Sequence, residues 1–215
     1  MSPHTIPFGS SHSSRLNPPK RRPHGKLESM ILRPLRSWLT GCTDVYVDVG
    51  SNVGQRIDAL FGGPPDEFFD ECFSNRSAAC ALAVEPNPLH RQTLLRKTAA
   101  HRVRGRAVRV LYVAISNATG TAPFWNDLQP KMNHWGASLF EWAGSASRST
   151  VVPTVAFRAL LEQLPTRSAC VKMDAEGVEY DVLNGASAAL CAKVRRIDVE
   201  WHDKVMRLAR AAYQR

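Results

Sequence analysis

Residues Asp44–Gly54 read DVYVDVGSNVG, and this stretch decides the fold. Val45, Tyr46, Val47 and Val49 make an apolar, mostly β-branched run with the composition of a buried strand. The run ends beside Asp48, then turns on Gly50 and Gly54 ahead of a helical pattern from Gln55 to Phe61. A parallel strand in an open α/β sheet delivers a loop to a ligand at its carboxyl end in this way. A second stretch, CVKMDAEGVEY from Cys170 to Tyr180, is built alike, and LAVEPNP from Leu82 to Pro88 supplies a third acidic strand end. Three such ends predict a cofactor site and a reaction centre along one edge of one sheet.

Outward from these ends the chain alternates between strand and helix patterns. Strands are predicted at Val45–Val49, Ala79–Val84, Val108–Ile115, Ala169–Met173 and Arg196–Glu200. Extra strands are predicted at Thr121–Trp125 and Val151–Val155, on either side of a Gly/Ser-rich loop. Helices are predicted at Gln55–Phe61, Leu89–Ala99, Phe157–Leu164 and Val178–Leu190, with Phe61–Arg76 as a loop or broken helix. Strands separated by helices argue for a parallel sheet covered on both faces, an α/β fold of Rossmann-like type. Residues 27–39 carry apolar side chains at Met30, Ile31, Leu35, Trp38 and Leu39, and read as an amphipathic helix over the domain, broken or started near Pro34.

Charge and cysteine usage bound the function. The 215-residue chain has a formal net charge of +9. Its first forty residues hold seven of the 28 basic residues and one acid, so most of the surplus lies in a Pro/Ser-rich tail. That placement weakens a nucleic-acid groove. The chain divides into residues 1–40, tail and lead-in helix, and a domain over 41–215. The tail has no apolar block of a secretory signal; it reads as disordered, and its basic, Ser-rich composition also fits an organelle transit peptide. No stretch reaches the ~20 apolar residues of a membrane span. The five cysteines, Cys42, Cys72, Cys80, Cys170 and Cys191, show no metal-type spacing. Cys170 and Cys191 read as small core residues, and the set implies a reducing, cytoplasmic compartment.

The loop chemistry narrows the ligand. Gly50 and Gly54 are four apart, so the third glycine of a dinucleotide fingerprint is missing. Asp48 offers a carboxylate to a cationic group, which suits an aminoacyl tail better than a pyrophosphate. Glu85, at the end of the second strand, suits the two hydroxyls of a ribose. The plainer alternatives are glycines that only turn the chain and a glutamate that only sits at the surface.

DVGSNVG, VEPNP, VAISNATGTAPFW, VKMDAEGVEYDVLNGA and VEWH, in that order, resemble the FkbM-type S-adenosylmethionine-dependent methyltransferases over Asp44–His202. KMDAEGVEYDVL is the most specific of these motifs. The resemblance implies a class I methyltransferase fold and O-methylation of a hydroxyl on a small molecule or glycan. It places Asp48, Gly50, Asn52 and Gly54 at the methionyl end of the cofactor, Glu85 at the ribose, and Ala114, Ile115 and Ser116 beside the adenine. Asp174 and Glu176 would lie beside the transferred methyl group.

A hydroxyl acceptor needs a base within hydrogen-bond reach. Asp174, Glu176, Glu200 and His202 are the candidates, and His202 is attractive because it titrates near neutral pH. Asp174, Glu200 and His202 are also two carboxylates and an imidazole at adjacent strand ends, a set that a hard metal could use; the reading adopted from sequence has no metal. Glu176 and Glu179 have a plainer use in capping the first turn of the following helix. Residues 126–150, with Lys131, Asn133, His134, Trp135 and Trp142, are the predicted acceptor-recognition loop. Only Asp203–Arg215 follow His202, where the fold class normally adds a helix and an antiparallel hairpin. The last strands are therefore expected to be missing, with a second copy covering the open edge. Two further readings stand beside the O-methyltransferase: a non-catalytic remnant that binds cofactor or partner, and an RNA methyltransferase using the basic tail.

Overall fold

The computed structural model describes residues 24–126, 137–139, 148–165 and 167–202. In chain order the elements are α1 (His24–Leu39), β1 (Val45–Val49), α2 (Gln55–Gly62), α3 (Glu67–Cys72), β2 (Cys80–Val84), α4 (Arg91–Val103) and β3 (Val108–Leu111). Then follow β4 (Ala114–Ser116), β5 (Gly120–Asn126), β6 (Arg148–Ala156), α5 (Phe157–Leu161), β7 (Ala169–Met173), α6 (Glu179–Lys193) and β8 (Val194–Val199).

Five strands form a parallel sheet in the order β3-β2-β1-β7-β8, so the decisive stretch is its central strand. The order reverses between β1 and β7, and ligand crevices open outside the carboxyl ends at such a reversal. Every residue of β1 and β2 is buried, because helices cover both faces. Val45, Val47, Val49, Leu82 and Val171 pack with α1, α5 and α6 on one side. Tyr46, Ala81, Ala83 and Cys170 pack with α2, α3 and α4 on the other. The fold is the Rossmann-like α/β arrangement expected from the strand and helix pattern.

Two details differ from the sequence reading. The run Val108–Ile115 is not one strand. Its first half pairs with β2, ending at the register Val84↔Leu111. Beyond Val84 the chain turns through Glu85 and Pro86, so a longer β3 would have unpaired backbone there. Ala114–Ser116 instead pair with β6, which also takes β5 antiparallel, forming a separate three-stranded sheet. Helix α1, in turn, runs through Pro34 without breaking or starting there. An interior proline costs about 3 kcal/mol. Leu32, Leu35 and Leu39 are all buried by α1, and at about 1.5–3 kcal/mol each that offsets the loss.

The cysteine reading is overturned. Cys42 pairs with Cys80 at a Cα separation of 5.9 Å, and Cys72 with Cys170 at 6.1 Å. The first bond ties the end of α1 to β2; the second ties α3 to β7. Cys191 is exposed, not a core residue. The partners lie 38 and 98 residues apart in sequence, and only the packing of helices on the sheet brings them within bonding reach. Disulfides are rare in reducing compartments, so the argument for one no longer holds. Among the described residues no helix is long and apolar enough to cross a membrane.

Candidate functional site

The turn after β1 is built by positive φ angles at Gly50 (75°), Asn52 (51°) and Gly54 (82°). Gly50 is irreplaceable on steric grounds: a Cβ there would lie 1.9 Å from the carbonyl oxygen of Asp174. The absent side chain lets the ends of β1 and β7 touch. The Gly50 and Ser51 amides donate to the Val84 carbonyl at 3.0 and 3.1 Å, which ties the turn to β2 as well. Gly54 stands at the start of α2 against Leu94. Asn52 tolerates the left-handed conformation better than most residues.

Glu85 joins this turn to the next one. Its carboxylate accepts from the Asn52 amide at 2.7 Å and from the Asn87 amide at 2.7 Å. Each oxygen keeps lone-pair capacity for a further donor. Glu85 lines a cleft of about 540 Å³, open mouth included, together with Gly50, Asn52, Asn87 and His90. Its apolar wall includes Val113, Ile115 and Phe124, and Asp174 and Glu176 line the same cleft. Among the described residues, Oδ1 of Asn52, Nδ2 of Asn87 and Oδ1 of Asp174 are buried in the lining without a hydrogen-bond partner. Orphans of this kind are rare in folded proteins.

Not every expected residue faces the cleft. Asp48 is fully buried on the Tyr46 side of β1; its carboxylate accepts from the Tyr46 hydroxyl at 3.1 Å and the Ser51 hydroxyl at 2.8 Å. Burial pushes its carboxyl up, against the pull of Lys172 and these hydrogen bonds. It braces the turn from behind. Gly54 and Ser116 also lie outside the cleft lining, whereas Ala114 and Ile115 belong to it.

The carboxyl ends of β7 and β8 bring four acids around one histidine. His202 Nδ1 lies 3.0 Å from Glu179 Oε1. Its Nε2 lies 3.7 Å from Asp174, 3.5 Å from Glu176 and 4.0 Å from Glu200. Glu179, missed as a site residue, is buried in the first turn of α6; its carboxylate accepts from the Ala175 and Gly177 amides of the turn before the helix and orients the imidazole as well. Burial opposes the Glu179 charge, yet the His202 hydrogen bond and the Gly177 amide hold its carboxyl below the usual range. The hydrogen bond to Glu179 raises His202 to about 9 despite partial burial, with Glu176, Glu179 and Asp174 adding to the effect. That places its titration above the near-neutral range expected from sequence. Burial pushes Glu176 up to about 7; His202 opposes this, while Asp174, Glu179 and Glu200 reinforce it.

Lys172, also missed, donates to Asp174 Oδ2 at 2.7 Å. Its position two residues before Asp174, on the same face of a strand, was the available signal. Glu176 adopts φ 54°, and its carbonyl accepts from the Ser138 hydroxyl at 2.6 Å, which ties the β7 end to the small sheet. Lys131, Asn133, His134, Trp135 and Trp142 of the expected acceptor loop, the tail before His24 and the segment after His202 lie outside the described residues.

Sheet order and glycine turn define a Rossmann-like α/β protein with a cleft at the carboxyl ends of its central strands. Residues 48–207 match the Methyltransferase FkbM domain, and the chain belongs to that methyltransferase family. No curated protein matches it. Among solved structures, it is similar to methyltransferase FkbM from Methylobacillus flagellatus, at 18% identity and a TM-score of 0.46, over 80% of this chain and 36% of that one. The chain thus spans about a third of that protein's length.

Proposed function

We propose that the protein is an S-adenosylmethionine-dependent methyltransferase that O-methylates a hydroxyl on a small molecule or glycan. One observation carries the reading: a single cleft is lined both by Glu85, a ribose-type carboxylate, and by Asp174 and Glu176. The residues fit the cofactor. Glu85 retains capacity for the ribose hydroxyls, the orphaned atoms of Asn52 and Asn87 offer one acceptor and one donor, and Val113, Ile115 and Phe124 give a flat base an apolar wall. When bound, S-adenosylmethionine supplies a methyl group on a positively charged sulfur, already activated for transfer. The chain's own task is then positioning and proton removal. Glu176 faces the cleft and takes the acceptor proton as the acceptor oxygen gains the methyl group. His202 acts through others, holding Glu176 and Glu179 in place by charge and by the Nδ1 hydrogen bond.

Calorimetric titration of the full chain with S-adenosylmethionine and its demethylated product tests the reading. Binding lost in Glu85→Ala and kept in Asp174→Ala supports this division of roles; no binding by the native chain overturns it. We infer further that the two disulfides favour an oxidising compartment over the cytoplasm.

A further inference from the structure

The geometry points to a divalent-cation site of Mn²⁺ type formed by Asp174, Glu200 and His202 at the carboxyl ends of β7 and β8. One ligand atom from each lies within 4.8 Å of the others. Ligands about 2.2 Å from a cation stand about 3–4.5 Å apart around it, so the spacing needs only a small contraction.

Two observations carry the assignment beyond proximity. First, Asp174 Oδ1 is sealed from solvent and has no hydrogen-bond partner among the described residues; it lies 3.7 Å from His202 Nε2, on the side where the three ligand atoms converge. Second, two of the three ligands are held from behind. Glu179 fixes His202 through Nδ1 at 3.0 Å, which turns Nε2 toward the acids. Lys172 holds the outer oxygen of Asp174 at 2.7 Å and leaves Oδ1 facing the ring. A carboxylate behind a histidine is the standard support of a metal ligand. Glu200, with 64% of its side chain exposed, has room to swing in as the third.

The donor set selects the ion. Two carboxylates and one imidazole with no sulfur suit a hard or borderline divalent cation, and Mn²⁺ accepts both oxygen and imidazole nitrogen. The cation would receive the acceptor oxygen and ease loss of its proton to Glu176, a role that, unlike the site itself, rests on the methyltransferase reading.

The test is Mn²⁺ titration of the full chain followed by electron paramagnetic resonance. The expected result is one bound Mn²⁺ per chain, with ¹⁴N coupling from His202 in the pulsed spectrum. Glu200→Gln should weaken binding at least tenfold without shifting the metal-free melting temperature, and His202→Gln should remove the nitrogen coupling. The proposal is overturned by no uptake at millimolar Mn²⁺, or by uptake with the same affinity in Glu200→Gln and Asp174→Asn. A bare imidazolium network gives the first of these results. S-adenosylmethionine titration of the same samples reads the cleft separately, so loss of cofactor binding with Mn²⁺ binding intact refutes the methyltransferase reading and leaves the metal site standing.

Discussion

Gly50→Ala should be among the most damaging single-methyl additions to this protein, and the cost can be divided. The backbone there has φ 75°, and a left-handed alanine costs about 1–2 kcal/mol. The new Cβ would also stand 1.9 Å from the Asp174 carbonyl oxygen, where contacts under 3.0 Å are essentially never seen, so β1 and β7 must separate by about 1 Å. Both strand ends are pinned, because the Asp174 amide donates to the Val49 carbonyl at 3.1 Å and the Glu200 amide to Met173 at 2.9 Å. Overpacking a rigid contact costs about 1–3 kcal/mol, bringing the total to about 2–5 kcal/mol. For a chain of this size that lowers the melting temperature by roughly 10 °C. Gly105→Ala isolates the conformational share: its φ is 78° with nothing within 4 Å of an added Cβ, and about 1–2 kcal/mol is expected. Gly62→Ala, in α2 with open space, should stabilise by about 0.5–1 kcal/mol. Urea unfolding of the three variants reads all of these. If Gly50→Ala is no worse than Gly105→Ala, the β1–β7 contact is not tight and the close approach argued for this turn is wrong.

Other expectations are simpler to state. Glu85→Ala should raise the S-adenosylmethionine dissociation constant at least tenfold, since charged hydrogen bonds contribute about 1.5–3 kcal/mol each; an unchanged constant by calorimetry would remove Glu85 from the cofactor site. Thiol titration of the denatured, unreduced chain should count one thiol, Cys191, out of five cysteines; three or more would disprove the pairing. Reduction should cost stability at about 3.9 kcal/mol for the Cys42–Cys80 loop and about 4.7 kcal/mol for Cys72–Cys170, from loop closure over separations of 38 and 98 residues, read as a shift in the urea midpoint. Asp58 shapes the acid limb of stability: burial opposes its charge, but hydrogen bonds from Lys97 and His101 outweigh burial and depress its carboxyl. Its contribution is therefore present above the unfolded carboxylate pKa of about 4 and lost as pH falls through the folded value. Asp58 is 42% exposed, so Asp58→Asn should cost no more than about 1 kcal/mol at pH 7 and should flatten the acid limb of stability against pH.

Local chemistry made much of the fold legible. Val45–Val49 and Ala169–Met173 are apolar runs punctuated by an acid and a glycine, and such runs carry their own boundaries. Gly50 and Gly54 announced a turn because few other residues accept positive φ. Glu85, Asp174 and Glu176 could be named because acids at strand ends have one edge of the sheet to occupy. The break between β3 and β4 was not legible: Leu111 and Ala114 differ in which strand lies beside them, not in local sequence. Cys72 and Cys170 pair because α3 packs on the face of β7 that carries Cys170, which no spacing reveals. Asp48 looked like a ligand group until the pleat of β1 turned it toward Tyr46.

The sequence by itself thus determined the order of strands and helices, the turn that opens the cleft and the acids at its rim, because each depends on the conformational preferences of a few neighbouring residues. Tertiary structure alone decided the cysteine pairs, the burial of Asp48 and the charge on His202. Each of these depends on distance through space and on exclusion of water, with partners such as Glu179 and His202, 23 residues apart along the chain, meeting at 3.0 Å.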